Sequence, residues 1–248
     1  LKVIFKAYSK ETFLNADKEP LSMEILKKAL RNNPNIGLLL YTNNKFCLIP
    51  KWLSEKDEKE IKDTLKVEVM RASVLGTDLL GVFCAGNSSH LIIPELIFEE
   101  ELKELRELER FGVQIHTLST QKTALGNLIA VNDKALVLSD IFSEKEKEEI
   151  KEIFSLPYLS ILFDDVEATG SCISFNSERG IITPGSKDEQ LERIERELGI
   201  KLLKATVNFG QPYISSGLVL NDNGFIVGQL STGIEISEID NFLRGYDE

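Results

Sequence analysis

Five glycines, Gly37, Gly81, Gly126, Gly170 and Gly217, follow one another along this chain at intervals of 44, 45, 44 and 47 residues. Each stands in the same context: an apolar run, a turn rich in Asn and small residues, a second apolar run, a charged helical stretch and a third apolar run. A period of this size marks a repeat architecture, in which each unit buries its apolar face against its neighbours. The reading is five copies of a strand–hairpin–helix–strand unit, beginning near residues 35, 79, 124, 168 and 215. The fifth copy ends after its helix, without a third strand. At the other terminus LKVIFKAYS, Leu1–Ser9, has the alternating apolar character of the strand that is missing. The expected fold is a single α/β domain: a five-fold pseudosymmetric ring with helices outside, closed by residues 1–9.

Residues 10–34 fit none of the copies and read as an inserted segment. Within it, LSMEILKKAL (Leu21–Leu30) places Met23, Leu26 and Leu30 at helical spacing behind Pro20, which predicts a helix. Four of the repeat helices open on a capping-box spelling: Ser54 with Asp57, Ser143 with Glu146, Ser186 with Glu189, and Thr232 with Glu235. In such a box the hydroxyl accepts a free N–H of the first turn and the carboxylate reaches back to the cap residue. Each helix carries one narrow apolar stripe, such as Ile61 with Leu65 or Ile150 with Phe154, and so should pack on one side only.

The net charge is −11, from 40 acidic and 29 basic side chains. The acid is concentrated in the helices (EKDEKEIKD, EEELKELRELER, SEKEKEEIKE), whereas segments leading into the glycines, such as STQKTALG, are nearly neutral. The ring should therefore have an acidic rim and a quieter face. This balance argues against free DNA as a partner. No apolar run is long enough for a membrane helix, and no signal-peptide pattern opens the chain. Cys47, Cys84 and Cys172 form no paired motif, so neither structural zinc nor a disulfide framework is expected. A reducing, cytoplasmic setting fits better. No cofactor is expected, since the Gly-rich stretches spell neither a Walker A loop nor a dinucleotide fingerprint. The carboxylate runs have basic partners one turn away, as Glu55 has Lys59, and read as solvated faces with no metal role.

Five stretches carry a resemblance: NPNIGLLLYTNNKFCLIP (Asn33–Pro50), TALGNLIAVND, GSCISFNSERGIITP, GLVLNDNGFIVG and TGIEISEI. Together they resemble the translation initiation factor 6 family, most closely its archaeal members, over about residues 33–244. The resemblance implies the pentein fold and a monomeric, non-enzymatic protein. It implies binding to the intersubunit face of the large ribosomal subunit, through ribosomal proteins near the sarcin-ricin loop and in part rRNA. It further implies blocked joining of the small subunit, with a role in large-subunit maturation. Two features depart from the family: the segment inserted before NPNIG, and AGNSSHLIIP, where Ser89-His90 replaces the glycine of the usual NxxG turn.

Within TALGN the resemblance makes Asn127 a ribosome-binding residue, with Thr123 and Lys122 on the same approach. Lys122 is the base that would meet rRNA phosphate. Asn43, Asn87, Asn132, Asn176 and Asn221 recur at the hairpin turns and read as turn chemistry, since Asn tolerates left-handed backbone and bonds its own chain. Two other functions are weighed: a binding scaffold of this fold with another client, and a hydrolase or amidinotransferase of the pentein type. The second would need a Cys–His pair within reach. Cys47 and His90 occupy similar places in successive copies, so the symmetry holds them apart, and no Cys or His follows position 172. No catalytic residue is expected.

Overall fold

The computed structural model describes residues 23–246. These form five three-stranded sheets in a pseudo-five-fold arrangement. In the first unit a helical turn, Ile36–Leu39, leads into the short inner strand Tyr41–Thr42, which hairpins back on Phe46–Pro50. The outer helix Glu55–Leu65 then crosses over and returns Glu68–Ala72 parallel to the second strand. The same order follows at Leu80–Phe83, Leu125–Leu128, Thr169–Cys172 and Ile214–Gly217.

The fifth sheet joins the two ends of the described chain. Its third strand is Glu24–Lys28, parallel to Gly224–Gly228 in the register Glu24↔Gly224 to Lys28↔Gly228. This corrects two expectations. The strand beside Gly224–Gly228 is not Leu1–Ser9, which lies outside the described residues, and of the helix expected at Leu21–Leu30 the described part holds this strand, Glu24–Lys28. Met23, Leu26 and Leu30 suit either period over so short a window. The ladder offered by Gly224–Gly228 decides for the strand, a tertiary override of local preference. Lys28 is further anchored by Asp57 and by Glu60 on the outer helix, and Arg244 donates to the Met23 carbonyl at 2.5 Å.

Each outer helix buries its stripe between two sheets. Ile61 and Leu65 pack with Ile49 of their own unit and with Val219 and Ile226 of the fifth. Similarly, Leu105 and Leu108 of the second unit pack with Phe46 and Leu48 of the first. The apolar stripe is thus what joins one unit to the next. Two of the predicted capping boxes form in full, at Ser143 and Thr232; at Ser54 the hydroxyl accepts the Asp57 N–H but the Asp57 carboxylate accepts from the hydroxyl and not from the backbone N–H. The fourth is displaced by one residue: Ser186 turns inward to donate to the Thr183 carbonyl, and the box is made by Gln190 accepting from the Lys187 N–H.

At the axis the period is tighter than the glycines suggest. A Cβ on Gly81 would lie 1.8 Å from the Gly37 carbonyl oxygen, one on Gly126 2.1 Å from that of Gly81, and one on Gly170 2.6 Å from that of Gly126. A Cβ on Gly37 would lie 1.8 Å from the oxygen of Ser215. Ser215, not Gly217, is therefore the fifth equivalent residue, and the axial spacings become 44, 45, 44 and 45. Its hydroxyl donates to the Gly170 carbonyl at 3.0 Å. The five helical turns touch in cyclic order, the last meeting the first.

The turn asparagines do more than shape hairpins. Asn132 accepts from the N–H groups of Lys134 and Ala135 and donates its amide to the Asn176 carbonyl at 2.6 Å. Asn43 donates likewise to Asn87, Asn87 to Asn132, and Asn221 to Asn43. One buried side chain closes its own turn and ties it to the next unit, which explains the recurrence of Asn over other turn formers.

Candidate docking face

The two axial ends of the arrangement differ. At the hairpin end the polar side chains satisfy one another. Ser88 donates its N–H and hydroxyl to Asp133, both at 2.8 Å, and Ser177 does the same to Asp222 at 2.7 Å. Asn44 bridges both carboxylates, at 3.3 Å to Asp133 and 2.8 Å to Asp222. These bonds hold the units together, while the exposed Lys134 and Glu178 side chains on the same turns have no partner among the described residues.

The opposite end carries the glycine turns, the loops entering them and the first turns of the outer helices. It also carries all three residues singled out in TALGN, because the Leu125–Leu128 turn and its approach are continuous in sequence. Thr123 accepts the Leu125 N–H through its carbonyl at 2.8 Å. Asn127 is half-buried; its N–H is used on the Ala124 carbonyl, and its side-chain amide has no hydrogen-bond partner among the described residues. Lys122 is engaged differently from what its sequence context suggested. Its ammonium is paired with Glu146 at 3.0 Å and lies 5.7 Å from the Phe142 ring centre. A charge held by a carboxylate and an aromatic face is less available to phosphate than a free one.

The model of the eIF-6 family matches residues 25–242, nearly all of the described chain. The chain belongs to the eIF-6 family. Among curated relatives it is 35% identical to translation initiation factor 6 of Staphylothermus marinus over 90% of this chain and 99% of that one. It is 32% identical to the factor of Saccharolobus solfataricus over 89% and 99% of the two chains. A solved dimethylarginine dimethylaminohydrolase aligns over 68% of each chain at 19% identity and a TM-score of 0.47, too remote to bear on activity. Membership in the eIF-6 family, which is non-catalytic, carries a general ribosome-associated role.

In this family member the third residue of four of the five outer helices does double duty at the glycine end. Glu235 accepts from Thr232 N–H and also from Thr206 Oγ1, Phe209 N–H and Gly210 N–H, so it clips the loop before the fifth glycine turn to the outer helix. Glu101 accepts from Gly76 N–H, Glu146 from Thr120 Oγ1 and Lys122, and Gln190 donates to the Leu162 carbonyl. The loops entering the glycine turns are therefore held by the starts of the outer helices, a link the capping-box spelling alone does not reveal.

Burial would raise the carboxyls of Glu146 and Glu235, but the hydrogen bonds they accept outweigh it and hold both at about 2. A carboxyl depressed in the folded state contributes stability above its ordinary pKa and loses it as pH falls toward the folded value. Unfolding free energy should drop between about pH 4.5 and 2, on the order of 2–3 kcal/mol for each residue. Urea titrations across that range should show a shallower acid limb for Glu235→Gln, which starts from lower stability at neutral pH.

The histidines and cysteines fall elsewhere. His90 Nδ1 and His116 Nε2 face each other at 3.1 Å, beside Phe154 of the third unit. Burial pushes both imidazoles below the ordinary range, His90 adding to the effect on His116. Burial pushes the Cys47 thiol up to about 12 and, with Asp164 adding to it, Cys172 up to about 11, the wrong direction for a nucleophile.

Proposed function

We propose that this protein binds the large ribosomal subunit on its intersubunit face with the glycine end of the five-unit ring, and so prevents joining of the small subunit. The closed pentein ring, the cytoplasmic setting, a part in subunit maturation and the involvement of Asn127 and Thr123 belong to the same proposal. The observation that carries it is the contrast between the two ends in a chain of this family. The hairpin end spends its Asn, Ser and Asp side chains on bonds between units, while the glycine end presents Asn127 with an amide free to bond outward. A buried donor left without a partner would be costly in an isolated protein. Half-exposed on a docking face, it is available.

Asn127→Ala is the cleanest test. It removes one directed hydrogen bond to the partner and no internal hydrogen bond of its side chain, so affinity for purified large subunits should fall about 3–10-fold with the melting midpoint little changed. Lys122→Glu is a poor companion, because it would set a carboxylate against Glu146 and disturb the loop itself. For the same reason Glu146 cannot serve as a rim control. Glu189→Lys with Glu192→Lys, both exposed on the helix Asp188–Leu198, is the appropriate one. If co-sedimentation shows the rim variant unable to bind while Asn127→Ala binds normally, docking is by the helical rim. If the wild-type protein binds neither subunit at near-physiological salt, its client is another.

A further inference from the structure

His90 follows the hairpin turn of the second unit, at the place held by Phe46, Ala135, Arg179 and Gly224 in the others. Its N–H closes the turn on Asn87 Oδ1 at 2.9 Å, and its ring meets His116 of the unit's third strand, Gln114–Leu118. Both imidazoles are half-buried in a groove of about 710 Å³ between that strand and the last turns of the third unit's outer helix, Glu144–Phe154. Phe154 stands edge-on to His90, with 6.2 Å between ring centres. At the glycine end the two walls of the groove are already tied, because Thr120 and Lys122, just past the strand, bond to Glu146 of the helix.

The two ring nitrogens point at each other. They are 3.1 Å apart with the ring centres at 5.3 Å, so both lie close to the line joining the rings. That gap has room for one proton. A metal ion needs about 2.0–2.1 Å to each nitrogen, more than the line between them offers. Among the described residues no third His, Cys, Asp or Glu completes a ligand set. The neutral pair is satisfied by one N–H···N bond, and so is the pair with one added proton. With two, N–H faces N–H and like charges meet across the gap.

The fourth unit shows where a cation at this place goes. Arg179 follows Asn176 as His90 follows Asn87, and its guanidinium donates to the Phe242 carbonyl at 3.1 Å near the end of the next unit's helix. The last carbonyls of a helix carry negative partial charge and favour such a partner. In the second unit's groove that helix end adds Glu149 and Glu152, whose carboxylates have no partner among the described residues. Besides the histidines they are the ionisable groups lining the groove; the strand wall contributes Gln114, Ile115 and Thr117.

We propose that the His90–His116 pair is an acid-operated joint between the second and third units. The first added proton is shared across the gap. The second drives the rings apart, turns an imidazolium toward Glu149 and Glu152, and takes His90 off the edge of Phe154. The strand and the helix end then loosen from each other while Glu146 still holds the glycine end. Burial lowers both imidazoles, and His90 adds to the effect on His116, so the folded chain binds these protons less readily than the unfolded one. Stability from the pair is therefore complete above the ordinary imidazole value of 6.5 and is lost as pH falls below it. The joint is independent of what the glycine end binds.

Imidazole nitrogen resonances of the full chain, followed from about pH 8 to about pH 5, should show two coupled steps on the acid side of 6.5. Over the same range amide exchange, corrected for its intrinsic pH dependence, should speed up at least about tenfold in Gln114–Leu118 and in the last turn of Glu144–Phe154. The strand Lys201–Lys204 of the fourth unit should not change. His116→Gln keeps a hydrogen-bonding side chain but cannot take the second proton. In that variant His90 should titrate in one step and the acid-side rise in exchange should vanish. An equal rise in His116→Gln overturns the joint. So does a wild-type titration in which the two rings respond independently at the ordinary value, a result that needs no variant to fold.

Discussion

Gly81→Ala is expected to destabilise this protein by about 3 kcal/mol or more, a drop of about 6–12 °C in melting midpoint. The added Cβ would stand 1.8 Å from the Gly37 carbonyl oxygen and 2.6 Å from that of Leu40, both backbone atoms of the neighbouring unit. A flexible side chain could swing aside. Here two main-chain segments must separate, and they are held by the cyclic contacts of the helical turns. Displacing one pair compresses or opens the others, because packed interiors do not deform continuously. Gly233→Ala provides the contrast. It lies in the last outer helix, nothing stands within 4 Å of its added Cβ, and it should gain up to about 0.5–1 kcal/mol from the lower entropy of the unfolded chain. Urea unfolding of the two variants should move in opposite directions. Equal, small shifts would mean that the axial contacts yield easily.

The repeat was legible because the units meet similar local constraints at the same places: glycine at the axis in four of the five, Asn at every hairpin turn, and a hydroxyl cap before three of the outer helices. Gly217 was misleading. It lies two residues past the true equivalent, Ser215, which a search for glycine passes over because its small hydroxyl finds a carbonyl to bond. The links between units were not legible, since an Asn amide reaching a carbonyl 44 or 45 residues away leaves no trace in local pattern. The same holds for the pairing of Lys122 with Glu146, 24 residues apart. Family likeness pointed to the TALGN turn, and composition pointed to the neutral glycine end. Neither pointed to Phe209, whose left-handed backbone and exposure appear only in the structure. VNFGQP reads from sequence as an ordinary loop.

Removing residues 1–28 is expected to cost several kcal/mol and to broaden or abolish cooperative unfolding. Glu24–Lys28 supplies the third strand of the fifth sheet, so its loss leaves Gly224–Gly228 as an open edge with unpaired backbone groups. Apolar burial goes with it: Met23 packs in the core around Phe225 and Ile239, and Leu26 against the core of Ile61 and Ile226. At about 25 cal/mol per Å² of apolar surface, two such side chains are worth roughly 3–5 kcal/mol before the ladder is counted. Lys28 meanwhile leaves Asp57, whose carboxyl it holds below the ordinary range, and Glu60. The reference is the chain beginning at Met23, which retains the ladder, the Met23 carbonyl that accepts from Arg244, and both apolar contacts. Calorimetry on the two truncations separates the possibilities. A large loss on passing from the chain starting at Met23 to the chain lacking residues 1–28 would place closure in Glu24–Lys28. If the chain starting at Met23 is already as destabilised as the shorter one, closure depends on residues before the ladder, and the strand Glu24–Lys28 does not by itself hold the fifth unit to the first.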